Sequence, residues 1–337
     1  MKQAAAASST CFGAGLSRLC GAAIFNLSLR PNLQKGFTSD AEQKHTGGYV
    51  VNHQLNRWRL RGRKMNFSEL FGVAGKTALV TGGGTGIGRM IAEGLAMGGA
   101  RVLICSRKLH SVQATADEIN ALGFSGKVEA FAGNVATENG VAAIVTEVRG
   151  RTDSLNILVN NAGISWGAPL GQFPHKAWSK VMAVNVDGLF HLTQSLLPDL
   201  KKTSTDTDPS RVINLGSVMG TAPMGDGAYS YAASKSAVHQ LTRILGKELA
   251  GHRITVNAFA PGPFRSKMTE FATGTDEQSA KVGADVPLGR VGTPEDIAAA
   301  TLFLCGKGGS YVTGAILPLC GGIHLQSGDN IFQSAMG

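Results

Sequence analysis

A pattern that begins near residue 73 limits this chain to very few folds. Short apolar runs recur, each followed by an amphipathic stretch: KTALVTG (76–82), RVLICSR (101–107), KVEAFAGN (127–134), LNILVNN (155–161), RVINLGS (211–217), ITVNAFAPG (254–262) and TGAILPL (313–319). Helical periodicity fills the gaps over roughly 86–98, 109–122, 138–149, 175–201, 230–250 and 294–304. Most of the runs are apolar throughout rather than alternating, as expected where both faces of a strand are covered. Strands of that kind separated by helices argue a parallel sheet between two helical layers. The sequence therefore predicts one α/β domain, a doubly wound parallel sheet of about seven strands with helices on both faces.

The first junction of strand and helix reads LVTGGGTGIGRM and places Gly82, Gly86 and Gly88 in the turn. Glycines let the backbone turn tightly and approach a pyrophosphate, which rests on the free N–H groups of the helix start. A structural turn alone would also use glycines. The position at the opening of a βαβ unit is the one that the phosphate-binding mechanism requires, and it points to a Rossmann-type site.

A second constellation lies in GAYSYAASKSAVHQL, residues 227–241, with two tyrosines ahead of one lysine. At about 100° per residue, positions i and i+4 lie about 40° apart on a helix, so Tyr231 shares a face with Lys235. Tyr229 is about 240° away from the lysine by the same count and faces elsewhere, as a wall of the pocket. A free phenol titrates near 10, and a neighbouring ammonium is expected to lower that value. Ser217 ends the RVINLGS run, at the edge of the sheet where open α/β folds bind ligands, and its hydroxyl is placed to bond a carbonyl oxygen.

The T-G-x-x-x-G-x-G spacing together with Tyr-x-x-x-Lys resembles the short-chain dehydrogenase/reductase family, over roughly residues 73–325. The resemblance implies a catalytic set of Asn185, Ser217, Tyr231 and Lys235. Ser217 would polarise a ketone, Tyr231 donate the proton, Lys235 tune the phenol and grip the cofactor ribose, and Asn185 hold a backbone carbonyl and a relay water. It also implies a nicotinamide dinucleotide held by Gly82, Thr85, Gly86, Ile87 and Gly88, by Asn134 and Val135, and by Asn161, Ala162 and Gly163 of the NNAG turn. Tyr231, Lys235, Pro261, Gly262 and Ser266 would complete that site. After the second strand the chain reads Ser106-Arg107-Lys108, with no acid to accept a ribose hydroxyl. A guanidinium holds phosphate in a charge-assisted fork, so Ser106 and Arg107 predict NADPH. Two positions depart from the family pattern. Thr85 stands where NADP-preferring relatives often carry a base, and Asn134 where an Asp often meets the adenine.

The substrate is less constrained. Residues 263–290 form the region that varies with specificity in this family. Phe264, Met268 and Phe271, with Trp166 and Met219, suggest an apolar pocket for an acyl chain, although each is equally at home in a core. The strings NNAGISWGAPL, RVINLGSVMG, KELAGHRITVNAFAPGPFRSKMT and GGIHL resemble 3-oxoacyl-[acyl-carrier-protein] reductases of the rhamnolipid-biosynthesis type. That likeness implies reduction of a 3-oxoacyl thioester, with Arg265 and Lys267 meeting an acidic carrier protein or the CoA phosphates. It also implies a homo-oligomer, a tetramer through the helices near 175–201 and 230–250 and the last strand. Two rivals share the motifs: a reductase of another carbonyl or alcohol (sugar, secondary alcohol or dienoyl-CoA), and a non-enzymatic dinucleotide sensor.

Charge excludes one class of partner. The net charge of +9 lies almost wholly in residues 1–64, which hold ten Lys/Arg against Asp40 and Glu42. The remaining body is near neutral, with no electrostatic footprint for nucleic acid. The first 39 residues lack acids and are rich in Ala, Ser, Leu and spaced Arg, as mitochondrial or plastid transit peptides are. The expected division is thus a leader over 1–64, transit peptide or disordered, and a catalytic domain over 65–337. Without a working transit peptide, or with synthesis from Met65, the expected compartment is cytoplasmic. Five scattered cysteines without zinc spacing predict no metal, and no apolar run reaches the ~18 residues of a membrane span.

Overall fold

The structure, a computed structural model, describes residues 66–325. The basic leader and the Met65 start lie outside the described residues. A short helix, α1 (Phe67–Phe71), precedes β1 (Thr77–Thr81), α2 (Gly86–Met97), β2 (Arg101–Ser106), α3 (Leu109–Ala121), β3 (Lys127–Ala132), α4 (Glu138–Arg151) and β4 (Ile157–Asn160). The second half runs through α5 (His175–Met182), α6 (Gly188–Ser195), α7 (Leu197–Thr203), β5 (Ser210–Leu215), α8 (Tyr229–Leu249) and β6 (Ile254–Pro261). Helices α9 (Glu270–Thr273), α10 (Asp276–Ala284) and α11 (Pro294–Cys305) and strand β7 (Ile316–Leu319) complete it.

Among the described residues the seven strands form one parallel sheet in the order β3-β2-β1-β4-β5-β6-β7. The predicted fold class is the observed one. Side chains of a strand alternate between faces, and here both sets are apolar. Ala78 and Val80 of β1 join Ile91 and Leu95 of α2, Val112 of α3 and Ile297 of α11 in one core. Leu79 between them points the other way, into a core with Ile144 of α4, Leu192 of α6 and Leu249 of α8. The order reverses between β1 and β4, and the carboxyl ends of the strands there open the crevice where such sheets bind ligands.

The continuous helix expected over 175–201 is instead broken twice. A π turn, Ala183–Asp187, inserts between α5 and α6 and contains the buried Asn185. Pro198 then stands in the first turn of α7, where its missing N–H costs nothing but where a preceding helix cannot continue. The region 263–290 holds two helices that the periodicity did not indicate. The second, α10, starts with a capping box in which Thr275 and Gln278 bond each other's backbone N–H groups.

Candidate active site

The glycine turn is shaped by what surrounds it. Gly82 and Gly86 have φ of 66° and 55°, the left-handed region that favours glycine. A Cβ at Gly86 would also press on Ser266 Cβ at 2.9 Å, so the segment 263–290, the lid of the crevice, lies directly against the turn. Thr115 of α3 holds the turn from below, donating from Oγ1 to the Gly84 carbonyl at 2.8 Å. Thr85 caps α2 only through its backbone and leaves its hydroxyl uncommitted there. The first N–H groups of this twelve-residue helix therefore face the crevice with no side-chain cap, the arrangement that binds phosphate.

Gly88 acts differently from the expectation. It does not line the cavity; a Cβ there would overlap Asn161 Nδ2 and the Gly82 carbonyl oxygen. Its role is to let α2 approach the exit of β4. Gly88→Ala is accordingly expected to cost about 1–3 kcal/mol by overpacking, read as a lowered urea midpoint. An unchanged midpoint would contradict this.

The NNAG turn is pinned to β1. Asn161 donates from Nδ2 to the Thr81 carbonyl at 2.8 Å, and the backbone N–H groups of Asn161 and Ala162 both reach Thr81 Oγ1 at 3.1 Å. Asn160, fully within the sheet, bonds Thr193 and Asn214, and Asn214 continues to Thr242 of α8. This buried amide ladder ties β4, β5 and α8 together, and so fixes the distance between the glycine turn and the tyrosine helix.

One cavity of about 510 Å³ joins these parts. With the exception of Gly88 and Asn185, every residue expected to bind cofactor or act on substrate lines it. One end is walled by Ser106, Arg107, Lys108 and Ser111, the other by Ser217, Tyr231, Lys235, Pro261 and Gly262. Lys108, Ser111 and Thr269 were not singled out from sequence. Ser111 and Lys108 had a readable signal, since both flank the start of α3 directly after Arg107. Asn134 uses its side-chain oxygen to accept from the Ala136 N–H at 3.1 Å, which leaves its NH₂ for other contacts.

At the reactive end, Lys235 is buried and donates from Nζ to the Leu215 carbonyl at 2.6 Å. Its Nζ lies 5.5 Å from the centre of the Tyr231 ring. The Tyr231 side chain and Ser217 line the same end of the cavity, and Ser217 acts on the titration of the phenol. Ser217 begins a 3-10 turn and accepts from the Met219 N–H at 3.2 Å. Asn185 reads both backbone groups of Ile164, accepting from N–H at 2.9 Å and donating to the carbonyl at 3.0 Å. It also donates to Ser234 Oγ at 3.0 Å, and Ser234 in turn donates to the Tyr231 carbonyl at 2.7 Å. Ser234 escaped the sequence reading; it is the link through which the π turn grips the tyrosine helix.

The electrostatics differ from the expectation that Lys235 lowers the Tyr231 pKa. Burial pushes the Tyr231 phenol up, and only the neighbouring Ser217 side chain opposes this. Burial also brings Lys235 down to about 8. Both groups are deep in the protein, and desolvation is the largest influence on each. The phenol is thus held protonated at neutral pH, the form that a proton donor needs.

The expected acyl pocket is only partly formed. Phe264 is buried in the core and reaches the cavity wall, while Phe271 on α9 is 83% exposed. Met268 lines the cavity, whereas Trp166 stands half exposed outside it. Tyr229 does not wall the cavity but packs edge-on against Phe173, ring centres 5.7 Å apart. Arg265 is engaged within the lid, donating to Ser279 Oγ at 2.7 Å and pairing with Asp276. Among the described residues no cluster of His, Cys, Asp or Glu suits a metal ion, and no helix is long and apolar enough to cross a membrane.

Comparison with known proteins adds to this geometry. The family described as Enoyl-(Acyl carrier protein) reductase matches residues 82–324. The chain is 45% identical over 255 residues to the rhamnolipids biosynthesis 3-oxoacyl-[acyl-carrier-protein] reductase of Pseudomonas aeruginosa, covering 76% of this chain and 98% of that protein. A solved RhlG/NADP active-site complex from Pseudomonas aeruginosa superimposes with a TM-score of 0.73 at 43% identity, covering 77% of this chain and 100% of the other. A putative NAD(P)-dependent gluconate 5-dehydrogenase from Beutenbergia cavernae, with bound NADP, gives a TM-score of 0.69 at 37% identity over 76% of this chain and 100% of its own.

Proposed function

The chain belongs to the short-chain dehydrogenase/reductase family, and from that premise we propose that it reduces the ketone of a 3-oxoacyl thioester to the 3-hydroxyacyl form with NADPH. The observation that carries the chemistry is the pair of hydroxyls, Tyr231 and Ser217, brought together on the wall of one cavity with the buried Lys235 beside them. The substrate class rests on the likeness to the 3-oxoacyl-[acyl-carrier-protein] reductase.

The residues present fit the dinucleotide. The glycine turn is a cradle that a Cβ would fill, and the uncapped start of α2 supplies N–H donors for a pyrophosphate. Arg107, Lys108, Ser106 and Ser111 form a cationic and hydroxylic end for a 2′-phosphate. Asn134 and Val135 would lie on the adenine side, and Asn161 to Gly163, Pro261, Gly262 and Ser266, which line the same cavity, on the nicotinamide side. When bound, NADPH supplies the hydride that reaches the carbonyl carbon.

The chain's own groups manage the oxygen. Ser217 donates a hydrogen bond to the ketone oxygen and polarises it. Tyr231, protonated at neutral pH, delivers its proton to that oxygen as charge develops there. The Lys235 ammonium, fixed by the Leu215 carbonyl, stabilises the phenolate left behind. Asn185 acts through backbone, holding Ile164 on the cavity wall and, through Ser234, the first turns of α8.

Arg107→Ala tests the cofactor assignment. Loss of a charged hydrogen bond to phosphate is worth roughly 1.5–3 kcal/mol, so KM for NADPH is expected to rise about 10- to 100-fold with that for NADH unchanged. Equal effects on both cofactors would contradict the placement of the 2′-phosphate.

The matching family description favours a second reading, reduction of the double bond of an enoyl thioester. Rates with acetoacetyl-CoA, crotonoyl-CoA and 5-ketogluconate, each with NADPH, separate the readings. The account expects acetoacetyl-CoA to have the highest kcat/KM; preference for crotonoyl-CoA or the sugar acid would overturn it. A carrier-protein partner and a tetramer are part of the same proposal. Exposed Phe190 on α6 and Ile244 on α8 support self-association through those helices. Of the two lid cations, Lys267 rather than the paired Arg265 is the one left to meet a carrier protein or CoA phosphate.

A further inference from the structure

His239 is buried, ionisable and unused by the chemistry above. It follows Lys235 by one turn of α8 and Tyr231 by two, so all three side chains share one face of the helix. Its ring does not point at the cavity; it lies against the turn that carries Ser217. A Cβ at Gly216 would overlap Nε2, and one at Gly220 would stand 2.8 Å from Cε1. The imidazole thus occupies the side-chain space at both ends of the turn, just before and just after Ser217. Its Nδ1 lies 3.5 Å from Thr221 Oγ1. Nε2 has no hydrogen-bond partner. A phenylalanine or leucine would fill such a space without leaving a buried nitrogen unsatisfied, at a cost of about 1–3 kcal/mol. Packing alone therefore does not call for an imidazole here.

We propose that His239 is a positioning residue for the reduction: its ring is the spacer and hydrogen-bonding strut that sets Ser217 at the right distance from Tyr231. The geometry gives the reason. Tyr231 rides on α8 and Ser217 on the turn after β5, and the two hydroxyls must meet the same ketone oxygen. Besides the meeting of Tyr231 and Ser217 themselves, three connections join helix and turn directly among the described residues. Lys235 bonds the Leu215 carbonyl just before the turn, and Ser236 donates to the Gly220 carbonyl at 3.0 Å just after it. His239 is the third and the only one whose ring spans both ends. Misplacement by about 1 Å in an active site costs on the order of 100-fold in rate, so a loosened turn is visible in kcat.

The inference rests on the carbonyl-reductase reading, and its test is a double-mutant cycle on the full chain. With NADPH and acetoacetyl-CoA, His239→Leu is expected to lower kcat about 10- to 100-fold with KM for NADPH within about twofold of wild type. His239→Asn, whose amide stands near the Nδ1 position, is expected to recover most of that loss. Because His239 acts through Ser217, His239→Leu in a Ser217→Ala background is expected to add no further loss, where independent sites would multiply. If the Leu variant does not fold, Gly216→Ala pushes on the ring from the other side and is expected to show the same non-multiplicative loss. A His239→Leu enzyme with wild-type kcat, or losses that multiply with Ser217→Ala, would overturn the proposal. Failure of the wild-type protein on acetoacetyl-CoA with turnover of another carbonyl counts against the substrate reading alone, and the same cycle is then read on that carbonyl.

Discussion

Tyr231→Phe is expected to lower kcat by about 10²–10⁴-fold, the contribution of a positioned proton donor. The change removes one oxygen and keeps the ring, so the contact of Lys235 with the aromatic face at 5.5 Å survives. KM for NADPH is therefore expected to change little, and binding of NADPH, followed by its fluorescence, to persist. Ser217 loses its partner hydroxyl and retains the bond from the Met219 N–H, so the turn itself should hold. A variant that binds NADPH normally and still turns over within about tenfold of wild type would remove Tyr231 from the mechanism.

Lys235→Met is expected to separate stability from activity. In the folded protein Lys235 titrates at about 8, well below the ordinary lysine value of 10.5, because burial strips its ammonium of water. The folded state therefore binds this proton less tightly than the unfolded chain. Its destabilising effect is fully present below pH 8 and is relieved as pH rises from about 8 to 10.5. A gap of this size corresponds to about 3 kcal/mol at pH 7. The Met variant escapes that cost but leaves the Leu215 carbonyl without its donor, a loss of about 1 kcal/mol. The net expectation is a gain of about 2 kcal/mol in urea unfolding at pH 7 that fades by pH 10, alongside a fall in kcat of at least about 100-fold. The wild-type reduction rate should decline above pH 8 for the same reason. A Met variant that is less stable at pH 7 than at pH 10, relative to wild type, would contradict the buried-cation account.

How much of this was legible follows from what each feature depends on. The strands were readable because the demand for two apolar faces is written residue by residue, as in Ala78, Leu79 and Val80. Tyr231 was readable because the choice over Tyr229 needs only helical spacing. Asn185 was recognised by family pattern but placed in a regular helix; one added residue in the backbone turn leaves almost no trace in a 3.6-residue period. The raised Tyr231 pKa was misjudged because it is a property of burial, which depends on the whole fold rather than on the neighbour at i+4. Arg265 looked free in sequence and is tied to Asp276 and Ser279 by the folding back of α10. The start of α10 was readable after all, in the Thr275–Gln278 capping pair. His239 belongs with the tertiary features: only the fold brings its ring against Gly216 and Gly220.

The most direct test of the central claim is the identity of the product. Purified protein incubated with NADPH and acetoacetyl-CoA should yield the 3-hydroxybutyryl thioester, identified by mass spectrometry, in amounts matching the NADPH consumed. Recovery of unreduced acetoacetyl-CoA, under conditions where crotonoyl-CoA or a keto-sugar acid is reduced, would contradict it.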